Sequence, residues 1–369
     1  MRLQLAALYA LCIVGIFAPH SPFTLGQETR ATRTSINGPS DIALDGHGHL
    51  YVLEFVEDKV LRIDLKKGTL STVAGNGKDC CYRDGARATD VSLEYLRSLA
   101  VDDMGNVFLG NGRQIERVDA ITGLISILAG DGQSGETQDG AKALSAHFWQ
   151  IDGLAVDANE DLFFVDGHQG KIFKLDLKSG TVRLYAGGGG IGYSGDGGPA
   201  IDAGFHFPDG ISIDSRGNLI VADSQNCRIR RIDRTTGVIT SVAVTGGFED
   251  NCRDVVDNSR PGPFPSNPVS DSRGNVYFVE GAMDVVLRVD AVTSHVSQFA
   301  GNGKRGFKGD LGPASNAELG NPSGLAIDAD GNIFVSEYVN NRVRRIDAKT
   351  KIITTVAGNG LPHRMDVQM

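Results

Sequence analysis

The sequence predicts an all-β protein, a six-bladed β-propeller of four-stranded antiparallel blades. The first observation is an internal repeat whose successive copies begin 55 or 57 residues apart. The second is that each copy contains four short segments in which apolar and polar residues alternate, as strands buried in a stacked sheet require. The six copies begin at Pro39, Leu96, Ile151, Pro208, Pro265 and Pro322.

The last copy shows the four strands most clearly. A four-stranded antiparallel sheet leaves apolar side chains on both faces, and six such sheets packed around one axis bury them. The repeat therefore predicts a single ring rather than two domains. The strands predicted in the last copy are Gly324–Ile327, Ile333–Ser336, Arg342–Ile346 and Ile352–Val356.

The remaining segments flank this ring. Residues 1–26 are predicted to be a signal peptide, because Arg2 precedes an apolar run from Leu5 to Ala18. Residues 27–37 form an N-terminal extension expected to add a strand, residues 38–360 the propeller, and residues 361–369 a C-terminal tail. The apolar run is shorter than the roughly 20 residues of a membrane span. We expect a secreted or periplasmic monomer without a membrane span.

Charge and cysteine content narrow the partners further. The chain has 45 acidic and 36 basic residues, a net charge of −9, which argues against nucleic acid and anionic membranes. The even number of cysteines after the signal peptide favours disulfides in an exported chain. Cys227 is expected to pair with Cys252, which belongs to the same blade, and Cys80 with the adjacent Cys81.

Twelve aspartates recur at fixed positions and are predicted to be structural. An Asp that opens a tight turn accepts backbone N–H bonds from residues further along the turn, which explains its presence in every blade. The first-turn set is Asp45, Asp102, Asp157, Asp214, Asp271 and Asp328, and the third-turn set is Asp64, Asp119, Asp176, Asp233, Asp290 and Asp347.

A ring of acids closes the second strands and is predicted to pair with bases that open the third strands. Glu280 is the exception, because it faces Val285, and we retain it as a candidate functional residue. The acid positions are Glu54, Asn111, Asp166, Asp223, Glu280 and Glu337, and the facing positions are Lys59, Gln114, Lys171, Arg228, Val285 and Arg342.

The candidate binding site lies where the first strands begin, because the long loops converge there. Asp152 and Asp209 come from adjacent blades, and Asn267, His206 and Trp149 lie close to the same rim. Acids beside aromatic rings are suited to a sugar, a cationic ligand or a divalent cation such as calcium, with Asp152, Asp209 and Asn267 as its ligands. The alternative is that the aromatic residues only cap the hydrophobic interior.

The repeat resembles the NHL repeat family, in the long-loop form found in exported bacterial proteins and in teneurins. The resemblance rests on PSGLAIDADGNIFVSEYVNNRVRRIDAKTKIITTVAGNG, residues 322–360, and on the loop GYSGDGGPAIDAGFHFP, residues 192–208. It covers residues 38–360 and implies the propeller fold. It does not imply one function, because related propellers include lyases, lactonases and interaction modules.

Two functions therefore remain after the sequence analysis. The first is a binding scaffold that recognises a protein or carbohydrate through its loop face, with no catalytic residue assigned. The alternative is a metal-dependent hydrolase or lyase, because Pro208-Asp209-Gly210 matches an element of the gluconolactonases. The zinc-binding histidines of the related amidating lyases have no counterpart in the rim positions of this chain.

Overall fold

The computed structural model describes residues 29–78, 82–245 and 264–361. Within these ranges it consists of six antiparallel sheets, which confirms the predicted six-bladed β-propeller. The described segments contain short 3-10 turns and no α-helix. None of the described helices is long and apolar enough to cross a membrane.

Each blade follows the order of the sequence, from an inner strand at the central channel to an outer strand at the rim. Blades one and two are β1 (Thr29–Arg30), β2 (Pro39–Leu44), β3 (His49–Glu54), β4 (Lys59–Asp64) and β5 (Thr69–Ala74), then β6 (Leu96–Val101), β7 (Val107–Asn111), β8 (Gln114–Val118) and β9 (Ile125–Ala129). Blades three and four are β10 (Ala141–Lys142), β11 (Ile151–Val156), β12 (Asp161–Asp166), β13 (Lys171–Asp176) and β14 (Thr181–Ala186), then β15 (Pro208–Ile213), β16 (Leu219–Asp223), β17 (Arg228–Ile232) and β18 (Ile239–Val244). Blades five and six are β19 (Pro265–Ser270), β20 (Val276–Glu280), β21 (Val285–Val289) and β22 (Val296–Ala300), then β23 (Pro322–Ile327), β24 (Ile333–Glu337), β25 (Arg342–Ile346) and β26 (Ile353–Ala357).

Two blades have a fifth strand. The one in blade one lies in the N-terminal extension, where a strand was expected, and the one in blade three was not predicted from the sequence. The segment arriving from the preceding blade runs along the outer edge, where β1 pairs with β5 and β10 pairs with β14. At the position of Arg30 and Lys142, the segments that reach blades four and six have Pro199 and Pro313, which form only isolated bridges. Arg87, at the same position before blade two, also forms an isolated bridge, and in each of these segments the alanine that follows donates its N–H to the outer edge of the blade.

In the five arriving segments that the structure describes, a buried alanine fixes the segment to the blade that it leaves. Its carbonyl accepts the N–H of the glycine that follows the outer strand, as Ala88 does from Gly75 at 2.9 Å. The equivalent Gly358 has φ +84°, and a Cβ there would lie 2.1 Å from the Asn341 carbonyl oxygen. Only glycine fits at this position.

The N-terminal segment closes the ring. Ala31 is fully buried and accepts the Gly358 N–H at 3.0 Å, while the Asn359 N–H donates to the Thr34 carbonyl at 3.1 Å. Residues 29–37 thus occupy the place that the long loops occupy between the other blades.

The turn aspartates have the structural role predicted for them. Asp214 Oδ1 accepts the N–H groups of Arg216 and Asn218, both at 2.9 Å. The N–H and hydroxyl of Thr350 and the N–H of Lys349 hold the pKa of Asp347 at about 2, well below its usual value. These residues are therefore not candidates for a binding site.

We predict that Ala31→Glu destabilises the protein by about 3–5 kcal/mol, because it buries an unpaired charge at the closing seam. The free energy of unfolding in urea measures the effect. Ala158→Glu is the control, since Ala158 is exposed in a turn. Equal stability of the two variants would show that the N-terminal segment does not close the ring.

Candidate functional site

The central channel opens at the loop face into a polar mouth. Below the mouth lies a cavity of about 250 Å³, lined by apolar residues such as Leu99 and Leu325 and by polar residues that include Asp41 and Asn267. The mouth itself is a second cavity of about 330 Å³. The residues lining the mouth are Ser40, Phe55, Arg97, Asp152, Asp209, Asn267 and Tyr338.

Asp152 lies on the wall of this cavity, held by its neighbours. Its Oδ1 accepts the Gln150 Nε2–H at 2.5 Å, and Arg97 Nη1 lies 3.7 Å from the same oxygen. Burial raises the pKa of Asp152 to about 7, with Asp209 adding to the rise and Arg97 opposing it. A Cβ on Gly167 would lie 2.3 Å from Asp152 Oδ2, so glycine leaves room for the carboxylate.

Two further carboxylates add negative charge, Asp209 at the mouth and Asp41 in the cavity directly below it. Asp209 is exposed to the water of the funnel, yet the protein that surrounds it raises its pKa, and Arg97 opposes this. Asp41 accepts the N–H groups of Ile42 and Leu99, both at 2.9 Å. Burial raises the pKa of Asp41 to about 7, and the charge of Asp209 adds to it. Three carboxylates around one guanidinium favour a cationic group.

Asn267 completes the polar part of the mouth. It has φ +43°, a left-handed conformation that Asn tolerates, and its Nδ2 donates to the Ser323 carbonyl at 2.5 Å. A Cβ on Gly210 would lie 2.9 Å from Asn267 Oδ1. Among the described residues, no hydrogen bond to Asn267 Oδ1 is formed, so this oxygen can accept one from a ligand.

His206 and Trp149 do not line the mouth. Their backbone N–H groups bond to second-strand acids instead, Trp149 to Asp166 at 2.9 Å and His206 to Asp223 at 2.8 Å. The His206 ring lies beside Phe207, with centroids 5.5 Å apart. Trp149 is 49% exposed and lines a different cavity between blades two and three.

Sequence analysis missed three features of the site. Arg97 occupies the same rim position as Asp152 and Asp209, which was the available signal. Phe55 and Tyr338 form a pair at the mouth, with ring centroids 6.1 Å apart. Tyr95 is 75% exposed at φ +56°, a backbone conformation that costs a non-glycine residue about 1 kcal/mol.

The predicted pairing of second-strand acids with the residues that open the third strands was wrong. The Glu337 carboxylate pairs with Arg344, at 3.4 Å, while Arg342 reaches the Asn359 carbonyl at 3.0 Å. Arg344 is buried beneath the arriving loop and also contacts Asp310 of that loop, at 2.8 Å. A base two residues after the start of the third strand, such as Arg344, can thus contact both the second-strand acid and the acid of the arriving loop.

The second-strand acids also accept a backbone N–H from the arriving loop. The donor stands two residues before the first strand of the blade. The four bonds are Asn37 to Glu54 at 2.7 Å, Trp149 to Asp166 at 2.9 Å, His206 to Asp223 at 2.8 Å and Gly320 to Glu337 at 2.9 Å.

Glu280 lacks both kinds of partner. It is fully buried, and neither carboxylate oxygen has a hydrogen-bond partner. The sequence places Pro263, which has no N–H, at the donor position, and Leu287 at the position of Arg344. Burial raises the pKa of Glu280 to about 8; the nearby Phe264 N–H opposes the rise without completing a hydrogen bond.

Metal and disulfide predictions have the following structural setting. In residues 29–78, 82–245 and 264–361, no three His, Cys, Asp or Glu side chains are grouped so that they could hold a metal ion. Asp152, Asp209 and Asn267 offer two carboxylates and one amide.

Cys227 is buried. Both predicted disulfides include residues outside the described ranges and stay predictions, as do the signal peptide and nearly all of the tail. The other cysteines are Cys12, in the N-terminal apolar run, and Cys80, Cys81 and Cys252.

Comparisons with known proteins agree with this architecture. The NHL repeat profile matches residues 205–232 and 319–346. Protein SUPPRESSOR OF QUENCHING 1, chloroplastic, of Arabidopsis thaliana is 28% identical over 63% of this chain and 23% of its own length. Human Teneurin-1 is 26% identical over 57% of this chain and 8% of its own length. The chain thus spans less than a quarter of each of these two relatives.

A gluconolactonase from Xanthomonas campestris has a similar structure. The TM-score is 0.56 at 12% identity, covering 89% of this chain and 88% of that one. At this identity the likeness shows the fold alone.

We predict that Glu280→Gln removes a pH-dependent loss of stability. The folded-state pKa of about 8 lies above the unfolded value, so the stabilisation present at acidic pH is lost as the pH rises towards and through 8. The variant should match the wild type near pH 4 and exceed it by up to about 4 kcal/mol near pH 9.

Glu337→Gln is the matched control. It should destabilise the protein at neutral pH by about 2–4 kcal/mol, because it weakens the pairing of the buried Arg344. Chemical unfolding across the pH range measures both variants. A Glu280→Gln profile parallel to that of the wild type would contradict the assignment.

Proposed function

We propose that this chain, an NHL-repeat β-propeller, is an exported binding scaffold that recognises a protein or carbohydrate ligand through its loop face. The observation that carries the proposal is the 330 Å³ mouth. There Arg97, Asp152 and Asp209 lie beside the exposed Phe55 and its partner Tyr338. Charged groups that fix orientation beside apolar rings are typical of binding pockets.

The electrostatics of the mouth indicate what part of a ligand enters it. Asp41, Asp152 and Asp209 outnumber Arg97, and the raised pKa values of all three acids reflect burial or enclosure that a cationic or donor group would offset. Rings at the rim also attract cations through their faces. A basic side chain of a protein, or a hydroxyl-rich or amino sugar, meets these requirements.

We predict that Asp152→Asn with Asp209→Asn weakens ligand binding at least tenfold, about 1.4 kcal/mol. The probes are a glycan array and a panel of purified ectodomains, each screened first with the wild-type mature chain. Affinities of the bound probes are then measured by calorimetry.

Asp103→Asn is the matched control, because it removes one negative charge at an exposed turn between β6 and β7, at the opposite end of the channel. Loss of binding in the control as well would indicate a general charge effect rather than recognition at the mouth. Unchanged affinity of the double variant would refute the mouth as the contact.

A metal-dependent hydrolase or lyase is the second candidate. The observation in its favour is that two carboxylates and the Asn267 amide share one cavity. These are oxygen ligands of the kind that calcium takes.

We predict for this candidate that calcium raises the melting temperature of the wild type and not of the Asp152→Asn, Asp209→Asn variant. Since calcium binds the ionised acid and the pKa of Asp152 is about 7, the shift should grow from about pH 6 to about pH 8. Equal shifts in both proteins, or no shift in either, would exclude the site.

A further inference from the structure

A separate cavity of about 500 Å³ opens on the loop face between blades two and three. Tyr95 and Trp149 line it, each just before the first strand of its blade. Arg113, from the turn after β7, faces the same space, and Arg97 separates it from the channel mouth. The volume suits a small molecule or two to three sugar units, and is too small for a protein domain.

Tyr95 occupies a position at which three other blades also have left-handed backbone. Gly38 has φ +56° and Asn321 φ +50° there, and Phe207, a second strained aromatic residue that is 38% exposed, has φ +46°. Tyr95 adopts φ +56° with 75% of its surface exposed, so burial of the ring does not offset the strain. A strained, exposed aromatic residue indicates a function for the ring itself.

The indole ring of Trp149 also contributes little to the stability of the fold. It is the only tryptophan of the chain, and it is 49% exposed. The contact that anchors it, from its N–H to Asp166, needs no indole, and the equivalent positions Asn37 and Gly320 make the same bond. The neighbouring Phe148 is fully buried and caps the interior. Thus only part of this aromatic cluster serves packing.

The charge of the cavity differs in sign from that of the protein. Arg97 and Arg113 line it against one acid, Glu94, in a chain of net charge −9. Arg113 is exposed, and no salt bridge or side-chain hydrogen bond holds it within the described ranges. The guanidinium N–H groups of Arg113 can donate to both oxygens of one carboxylate.

We propose that this cavity binds a carboxylate-bearing sugar of an acidic oligosaccharide. Tyr95 and Trp149 pack against the apolar face of the sugar ring, and Arg113 pairs with its carboxylate. The proposal rests on the proposed binding function and assigns a ligand class to one part of the loop face.

Tyr95→Gly tests the proposal with little risk to the fold. Glycine adopts the left-handed backbone without strain, so the variant should be at least as stable as the wild type while losing the ring. Trp149→Ala keeps the N–H bond to Asp166. Thermal unfolding checks that both variants fold.

Trp149 also supplies the readout, because it is the single tryptophan of the chain and can be excited selectively at wavelengths that its eight tyrosines do not absorb. The probes are tri-galacturonate, di-glucuronate and sialyllactose, with galactotriose and lactose as neutral counterparts. We expect saturable fluorescence changes with acidic probes at millimolar concentration or below, and calorimetric affinity reduced at least tenfold in Tyr95→Gly and Trp149→Ala. Arg113→Gln should lose the preference for acidic over neutral probes, and Arg273→Gln, at an exposed turn of blade five, should keep it.

Two results would overturn the inference. One is no fluorescence or calorimetric signal with any acidic probe. The other is binding that Tyr95→Gly and Trp149→Ala leave unchanged. If the Asp152→Asn, Asp209→Asn variant alone then lost its ligand, the proposed function would stand without this cavity. An equal response to sulfated or phosphorylated sugars would reject carboxylate recognition in favour of general anion binding.

Discussion

The architecture depends on one repeated hydrogen bond, from the backbone N–H of an arriving loop to a buried acid at the end of a second strand. Glu54, Asp166, Asp223 and Glu337 each accept this bond. The donor residue of this bond stands two positions before the first strand. The bond therefore fixes how far along the channel axis the rim residues lie. The positions of Asp152 and Asp209 follow from it, because each stands three residues after such a donor.

Blade five shows what happens without this bond. Pro263 removes the donor and Leu287 removes the base, and Glu280 is left as a buried acid without a hydrogen bond. The 57-residue spacing of the repeat places Arg253 at the position of Asp310, the aspartate that contacts Arg344 in blade six. Blade two also departs from the repeat, with Asn111 in place of the acid and Glu116 at the position of Arg344. Among the described residues, Glu280 is the buried carboxylate that has neither oxygen hydrogen-bonded.

The fold could be predicted from the sequence because spacing and alternation act locally. The strands expected in the last repeat differ from those observed by at most two residues. Asp152 and Asp209 could be brought together from their equivalent positions in adjacent blades. The partner of Glu337 could not be predicted, since the choice between Arg342 and Arg344 depends on which guanidinium the loop covers. The exposure of Tyr95 and Trp149 could not be predicted either, because alternation does not distinguish a capping ring from a free one.

The seam between blades six and one has a consequence for how the chain acquires its structure. Asn359 Nδ2 donates to the Arg33 carbonyl across 326 positions of sequence, so the closing contacts cannot form until the last blade has been synthesised. The length-dependent entropy of closing such a loop is on the order of 5 kcal/mol. Contacts of this range slow folding. During translation, the N-terminal segment and the face of blade one that pack against blade six therefore stay open longest and are the surface most exposed to aggregation.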